Sequence, residues 1–206
     1  MASRKNIRRK GCARVALTGA VPPALGVTRA EVKEAAAFFA ERSRARVDGT
    51  WHEVTVHLVR DEASDAMHRA IMGVPGATDV ITQAYDAIPP EPPGLFGELF
   101  VNTDQALRAA PSRRGWSPAK ELLLYIAHGM DHLSGADDHS ERGYLAMRRR
   151  ELSWLRSRGA KPPPPARRYG RVGAGGRSVA KPTMEMPWRF AKATTSSLSS
   201  SISLCA

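Results

Sequence analysis

Cysteine is nearly missing from this chain of 206 residues: there are two, Cys12 and Cys205, one near each end. Neither has a second cysteine at ligand spacing, which excludes a disulfide framework and a thiolate metal site, and a reducing cytoplasm is the expected compartment. Long apolar runs are lacking too. Without about 20 consecutive apolar residues no segment can cross a bilayer as a helix, so no membrane partner is expected. Arg8-Arg9 ahead of residues 15–27 has the outline of a twin-arginine export signal. Arg14 interrupts it, Pro22-Pro23 break it and no small-x-small cleavage site follows, so export is not expected. Cys205 stands one residue from the end, the wrong place for a prenylation box.

Acid is scarce at the two ends. The chain holds 31 Lys and Arg against 20 Asp and Glu, a net charge of +11. Residues 1–27 carry Arg4, Lys5, Arg8, Arg9, Lys10 and Arg14 and no acid; residues 160–206 carry eight basic residues against Glu185 alone. The stretch between them has 17 basic and 19 acidic residues, so a nearly neutral body is flanked by basic ends suited to sequence-independent phosphate contacts. Beyond Pro162–Pro165 the chain is Gly, Pro, Ser and Arg, and such a composition cannot bury enough apolar surface to offset its ordering entropy. Three regions are expected: a basic segment over 1–27, a folded domain over 28–158 and a disordered basic tail over 159–206.

Inside the domain the periodicities are clear. Residues 14–18 read as a first edge strand. Thr28 followed by Glu31 has the reciprocal spacing of a capping box, and Val32, Ala35, Ala36, Phe39 and Ala40 extend it into a helix to about Arg44. Residues 51–60 alternate as a strand, with His52 and His57 on opposite faces, so the two cannot share an ion. Asp61 is placed as the cap of a helix to Gly73; short strands follow at 78–82 and 97–102, with a proline-rich loop at 88–93 and a helix from Thr103. Ser117-Pro118 reads as an N-cap and first helical position ahead of an apolar run, and Ser140 opens a last helix to about Arg158 whose arginines are expected on a solvated face.

Chemistry concentrates in His128-Gly129-Met130-Asp131-His132-Leu133-Ser134-Gly135-Ala136-Asp137-Asp138-His139. Histidines four apart on a helix share one face, so His128 and His132 can converge on one ion. Gly135 is a helix stop, after which the chain can turn back and offer a third ligand from Asp138 or His139. Three protein ligands with an open position describe a catalytic zinc site, because the open position holds the water to be activated. The bland alternative is a buried His and Asp network without metal.

This run, with Thr78-Asp79-Val80-Ile81-Thr82-Gln83 and Gly97-Glu98-Leu99-Phe100-Val101-Asn102 ahead of it in that order, resembles the YbeY family of single-strand-specific endoribonucleases of ribosomal RNA maturation. The family patterns are HGxLHLxGYDH, (T/S)DVLSF and GDIVIS. The resemblance covers about Val27 to Arg158. It implies an α+β fold, a small mixed β-sheet packed with helices and a metzincin-like zinc helix. It further implies one Zn2+ per chain, and single-stranded RNA, the ribosomal RNA precursor and the ribosomal subunit as partners. The family's third ligand falls on Asp138; His139, one residue later, is preferred here as third ligand with His128 and His132, on the expectation that a glycine turn absorbs one extra residue. The family's arginine ahead of the TDV segment appears as Met72, with Arg69 on nearly the same helical face as a substitute. Asp131 replaces an apolar residue beside the histidine pair, as a partner of a ligand histidine or a sign of altered chemistry, and Asp131 and Arg69 are the candidate catalytic residues beside the metal-bound water. The activity expected is cleavage of single-stranded RNA by metal-activated water. A metalloprotease needs a Glu after the first histidine, where this chain has Gly129. A ribosome-associated RNA binder with a structural zinc is the non-enzymatic alternative.

Overall fold

The computed structural model describes residues 14–44, 51–91, 93–112 and 115–159. The basic ends, residues 1–13 and 160–206, with the expected disordered tail and its contacts, lie outside the described residues.

The architecture is α+β. Four strands, β1 (Arg14–Thr18), β2 (Trp51–Val59), β3 (Val80–Asp86) and β4 (Leu95–Asn102), form one mixed sheet in the order β1-β2-β4-β3. β1 runs parallel to β2 and β2 parallel to β4, while β3 returns antiparallel to β4. The parallel pairs need crossovers, and the helices supply them. These are α1 (Arg29–Arg44), α2 (Asp61–Met72) and α3 (Thr103–Ala109), followed by α4 (Pro118–Leu133) and α5 (Glu141–Ser157).

Local chemistry sets most helix starts. Thr28 and Glu31 close the expected capping box: the Thr28 N–H donates to Glu31 Oε2 at 2.8 Å and the Glu31 N–H to Thr28 Oγ1 at 3.2 Å. Ser117 and Ser140 accept from the N–H groups of Lys120 and Gly143, as N-caps should. Asp61 does not cap α2. It is the first helical residue, and its carboxylate pairs with Arg108 of α3 while Asn102 donates to it at 2.9 Å. Asp104 receives the Asp61 N–H instead, at 3.2 Å, so this helix start is capped from across the fold.

Strand β2 departs from simple alternation. A bulge between Trp51 and Glu53 inserts one residue and brings Trp51, 2% exposed, into the core with Val54, Val56 and Leu58. It also corrects the placing of the two strand histidines on opposite faces: His52 lies on Phe96 at 5.3 Å and His57 on Phe100 at 4.6 Å, and these phenylalanines share one face of β4. Their partners are four residues apart, about 13 Å along a strand, so the histidines still cannot share an ion.

The core lies between the sheet and α1, α3 and α4. Helix α4 is its axis, with Leu122, Leu124, Tyr125, Ile126, Ala127, Met130 and Leu133 all buried. Gly129 faces the sheet, and a Cβ there would stand 2.5 Å from Leu99 Cδ2 and 3.0 Å from Val80 Cγ2. Any side chain here would have to push the Leu99 and Val80 methyls aside. Gly129→Val should therefore overpack the contact and cost about 1–3 kcal/mol. A urea titration checks this: the midpoint should fall with the slope unchanged.

Candidate metal centre

The site stands at the C-terminal end of α4. With Gly129 turned toward the sheet, His128 and His132 point about a quarter-turn away from it, toward α5 and the following turn. Their Nε2 atoms are 3.1 Å apart. Gly135, in the left-handed region at φ 83°, ends the helix, and the Ala136 N–H reaches back to the Asp131 carbonyl at 3.1 Å. The chain then delivers Asp138, whose Oδ2 and Oδ1 stand 3.9 Å from His128 Nε2 and His132 Nε2 respectively. The three potential ligand atoms lie within 4.8 Å of one another.

Both imidazoles are held from behind. His128 Nδ1–H donates to Glu151 Oε1 of α5 at 2.6 Å, and His132 Nδ1–H to the Ala136 carbonyl at 3.1 Å. With each Nδ1 proton committed, the two Nε2 lone pairs face each other and the Asp138 carboxylate, an arrangement that calls for a cation between them. Two nitrogens on one tetrahedral zinc would be about 3.3 Å apart, close to the separation seen. Asp138 Oδ1 is buried with no hydrogen-bond partner, on a side chain only 5% exposed. A buried carboxylate oxygen without a donor is costly unless an ion takes that role. The donor set, two imidazoles and one carboxylate, fits a divalent metal.

The electrostatics agree. Burial pulls the basicity of His128 down, but the hydrogen bond and charge of Glu151, with Asp79 and Asp138, outweigh it and leave His128 raised. Burial and the charge of His128 push His132 down to about 4, so the pair holds one proton rather than two. Burial would raise Glu151, but its hydrogen bond to His128 and the charge of Arg148 keep it lowered and ionised. Asp79 is raised by desolvation, against which the charge of His128 and the Val80 N–H, donating at 2.9 Å, act only in part.

The structure places the expected residues as follows. It brings His128 and His132 together and sets Asp138, not the preferred His139, against them. His139 is 52% exposed, its N–H donates to Asp137 Oδ1 at 2.7 Å, and its ring lies 3.6 Å from the same carboxylate. The turn has no slack to absorb an extra residue, because Ala136 is bonded on both sides and only 4% exposed. Gly143 of α5 packs directly on the Asp137 carbonyl. Asp131, fully buried, forms a forked ion pair with Arg150 at 2.8 to 3.0 Å. Arg69 lies on the exposed side of α2, held by Asp65 at 3.0 Å. Met72, where the family pattern has arginine, ends that helix.

Sequence reasoning missed Glu151, Arg150 and Asp79 as parts of the site. Glu151 and Arg150 lie 23 and 19 residues from their partners, with no local spacing to connect them. Asp79 stood in the quoted TDV segment without an assigned role. Gly129 acquires a second meaning: a side chain there would point at Leu99 and Val80 of the sheet and away from the two histidine rings, which is no place for a protease base.

Comparison with known proteins identifies the family. Residues 26–159 match the family model described as Endoribonuclease YbeY. The protein named Endoribonuclease YbeY in Rhodopirellula baltica is 35% identical over 104 residues, 50% of this chain and 52% of that protein. The one in Anaeromyxobacter is 34% identical over 128 residues, 61% of this chain and 62% of that protein. The one in Kineococcus radiotolerans is 30% identical over 154 residues, 70% of this chain and 87% of that protein. The chain thus spans about half to two thirds of the length of the first two relatives. The solution structure of a Thermotoga maritima protein aligns at 20% identity and a TM-score of 0.43, covering 71% of this chain and 91% of that one. With the family model matched from just before α1 to just after α5, the chain belongs to the YbeY family.

Proposed function

We propose that this protein is a zinc-dependent endoribonuclease specific for single-stranded RNA, acting in the cytoplasm on ribosomal RNA precursors at the ribosomal subunit. One zinc is held per chain by His128, His132 and Asp138. The observation that carries this reading is the pair of facing Nε2 atoms with the orphaned Asp138 Oδ1 beside them, in a chain of the YbeY family. The relatives are named endoribonucleases, and their activity is extended here to this chain. Among the described residues no helix is long and apolar enough to cross a membrane.

A divalent ion at such a site polarises a phosphoryl oxygen and lowers the pKa of water toward about 7. The chain's own residues prepare for it. Glu151 holds His128 in the tautomer that turns its lone pair inward, and the Ala136 carbonyl does the same for His132. Arg148, 3.4 Å from Glu151, helps keep that carboxylate ionised. Asp138 adds one negative charge to the donor set, and Asp79 lies near enough for its charge to act on His128. Arg69 and Asp131 are not given a role in the reaction, since Asp65 and Arg150 already engage them. Single-stranded RNA suits the site better than duplex, because the phosphate must reach a metal at a helix end in a body of nearly neutral charge.

Three measurements test this. Asp138→Ala should empty the site, whereas His139→Ala should retain the metal, as read by elemental analysis of purified protein; the opposite result would move the third ligand to His139. Glu151→Gln should keep the fold and weaken metal affinity by about 10–100-fold in a chelator competition. Cleavage of an unstructured RNA should stop on chelation and in His132→Ala, with duplex RNA and denatured casein left intact. Metal-loaded protein that cuts none of these would support an RNA binder, and casein cleavage lost in His132→Ala would support a protease.

A further inference from the structure

We propose that the outer side of α5 is a phosphate track for RNA leaving the metal site, formed by Arg142, Arg149 and Arg156. That the ligand is RNA rests on the ribonuclease reading above.

Helix α5 contains five arginines and no lysine, with Arg158 just beyond it. These arginines fall into two sets. Arg148 is engaged with Glu151 and Arg150 with Asp131, while Arg158 pairs with Glu34 at 3.3 Å and lies over the Phe38 ring. Arg150 and Arg158 thereby fasten the α5 region to α4 and α1, and Arg148 supports Glu151 within α5 itself. Arg142, Arg149 and Arg156 are exposed, and among the described residues no carboxylate pairs with any of them. Arg149 spends only its Nε–H, on the Leu145 carbonyl at 3.2 Å.

The spacing of the second set is regular. Seven residues bring a helix back to within about 20° of the same direction. The three guanidinium groups therefore line one stripe, each about 10.5 Å from the next and about 21 Å from end to end. The side chains a turn away along the stripe, Leu145, Ala146, Leu152 and Ser153, are uncharged. A merely solvated helix face is usually laced with acid–base pairs four residues apart, and this one has none. Glu141, the acid next to Arg142, stands in the first turn, where the helix dipole favours it. Arginine in place of lysine supplies the planar fork that grips phosphate through two hydrogen bonds.

The stripe is also in the right place. It starts at Arg142, four residues after Asp138, and continues past the level of Glu151 on the outer side of the helix whose inner side holds His128. A strand whose scissile phosphate sits at the metal can pass the start of α5 and lay its following phosphates on the track. Such contacts give affinity without sequence choice.

The test is binding of a long, unstructured uridine oligonucleotide to the full chain over a series of salt concentrations. Replacing all three arginines by glutamine, a good helix former, should leave the far-ultraviolet spectrum and thermal midpoint unchanged. The slope of log affinity against log salt should become shallower by about 2, with binding about tenfold weaker or more at moderate salt. Lysine at all three positions should retain most of the slope. A glutamine variant with the wild-type slope would overturn the track, as would loss of binding to anionic phosphatidylserine vesicles with RNA binding intact. The two readings fail separately. A wild-type chain that shows the expected slope difference but cuts no RNA sinks the nuclease and leaves the track standing. A wild-type chain that cuts, with no slope difference, sinks the track alone.

Discussion

The contact between α4 and the sheet at Gly129 fixes the geometry of everything around the metal centre. A helix that touches a sheet through a glycine is held in both distance and rotation, because any other face would bring a side chain into Leu99 and Val80. Once that direction is set, the remaining directions follow from 3.6 residues per turn. His128 and His132 face α5 and the turn that delivers Asp138, and Asp131 faces Arg150 of α5. The buried apolar row from Leu122 to Leu133 then fills the space between the sheet and the outer helices.

Helix α5 completes what α4 begins. Its inner side answers two buried charges on α4, with Glu151 for His128 and Arg150 for Asp131. Removing one partner of such a buried pair leaves an uncompensated charge, which is far more costly than the pair is favourable. The α4–α5 interface is thus specified by charge as well as by packing, and Trp154 of α5 stacks in turn on Phe39 of α1 at 6.2 Å. The same helix carries outward Arg142, Arg149 and Arg156, which no carboxylate among the described residues pairs. One element both orients a candidate ligand histidine and presents positive charge to solvent.

The charge balance of the site explains why the sequence tolerates so many ionisable groups in one buried place. With His128 held raised and His132 lowered, the two imidazoles bring at most one positive charge, while Asp138, Glu151 and Asp79 bring carboxylates. Arg148 offsets part of this on the α5 side. A divalent cation among the ligands would balance the rest, and the depressed basicity of His132 keeps its nitrogen available to such an ion near neutral pH. With Asp138 as the proposed third ligand, where the family pattern has histidine, the net charge at a bound metal would be lower by one. The donor set remains one that zinc accepts.

Periodicity and capping chemistry in the sequence determined the helices and strands by themselves, because those signals are local. The Thr28–Glu31 box, the Ser117 and Ser140 caps and the Gly73 and Gly135 stops act within a few residues of where they are read. The four-residue spacing of His128 and His132 likewise determined that the two rings share a helix face. Tertiary structure decided the rest. The bulge at Trp51, which moved His52 and His57 to one face of the sheet, depends on the register of β2 against β4. The capping of α2 by Asp104, rather than by Asp61, depends on α3 packing beside it. Asp138 rather than His139 faces the histidines because Ala136 is bonded from both sides and α5 begins directly against Asp137, which leaves the turn no slack. Glu151, Arg150 and Asp79 joined the centre only through folding. Charges brought together from 19 to 49 residues apart leave no spacing in the sequence by which to find them.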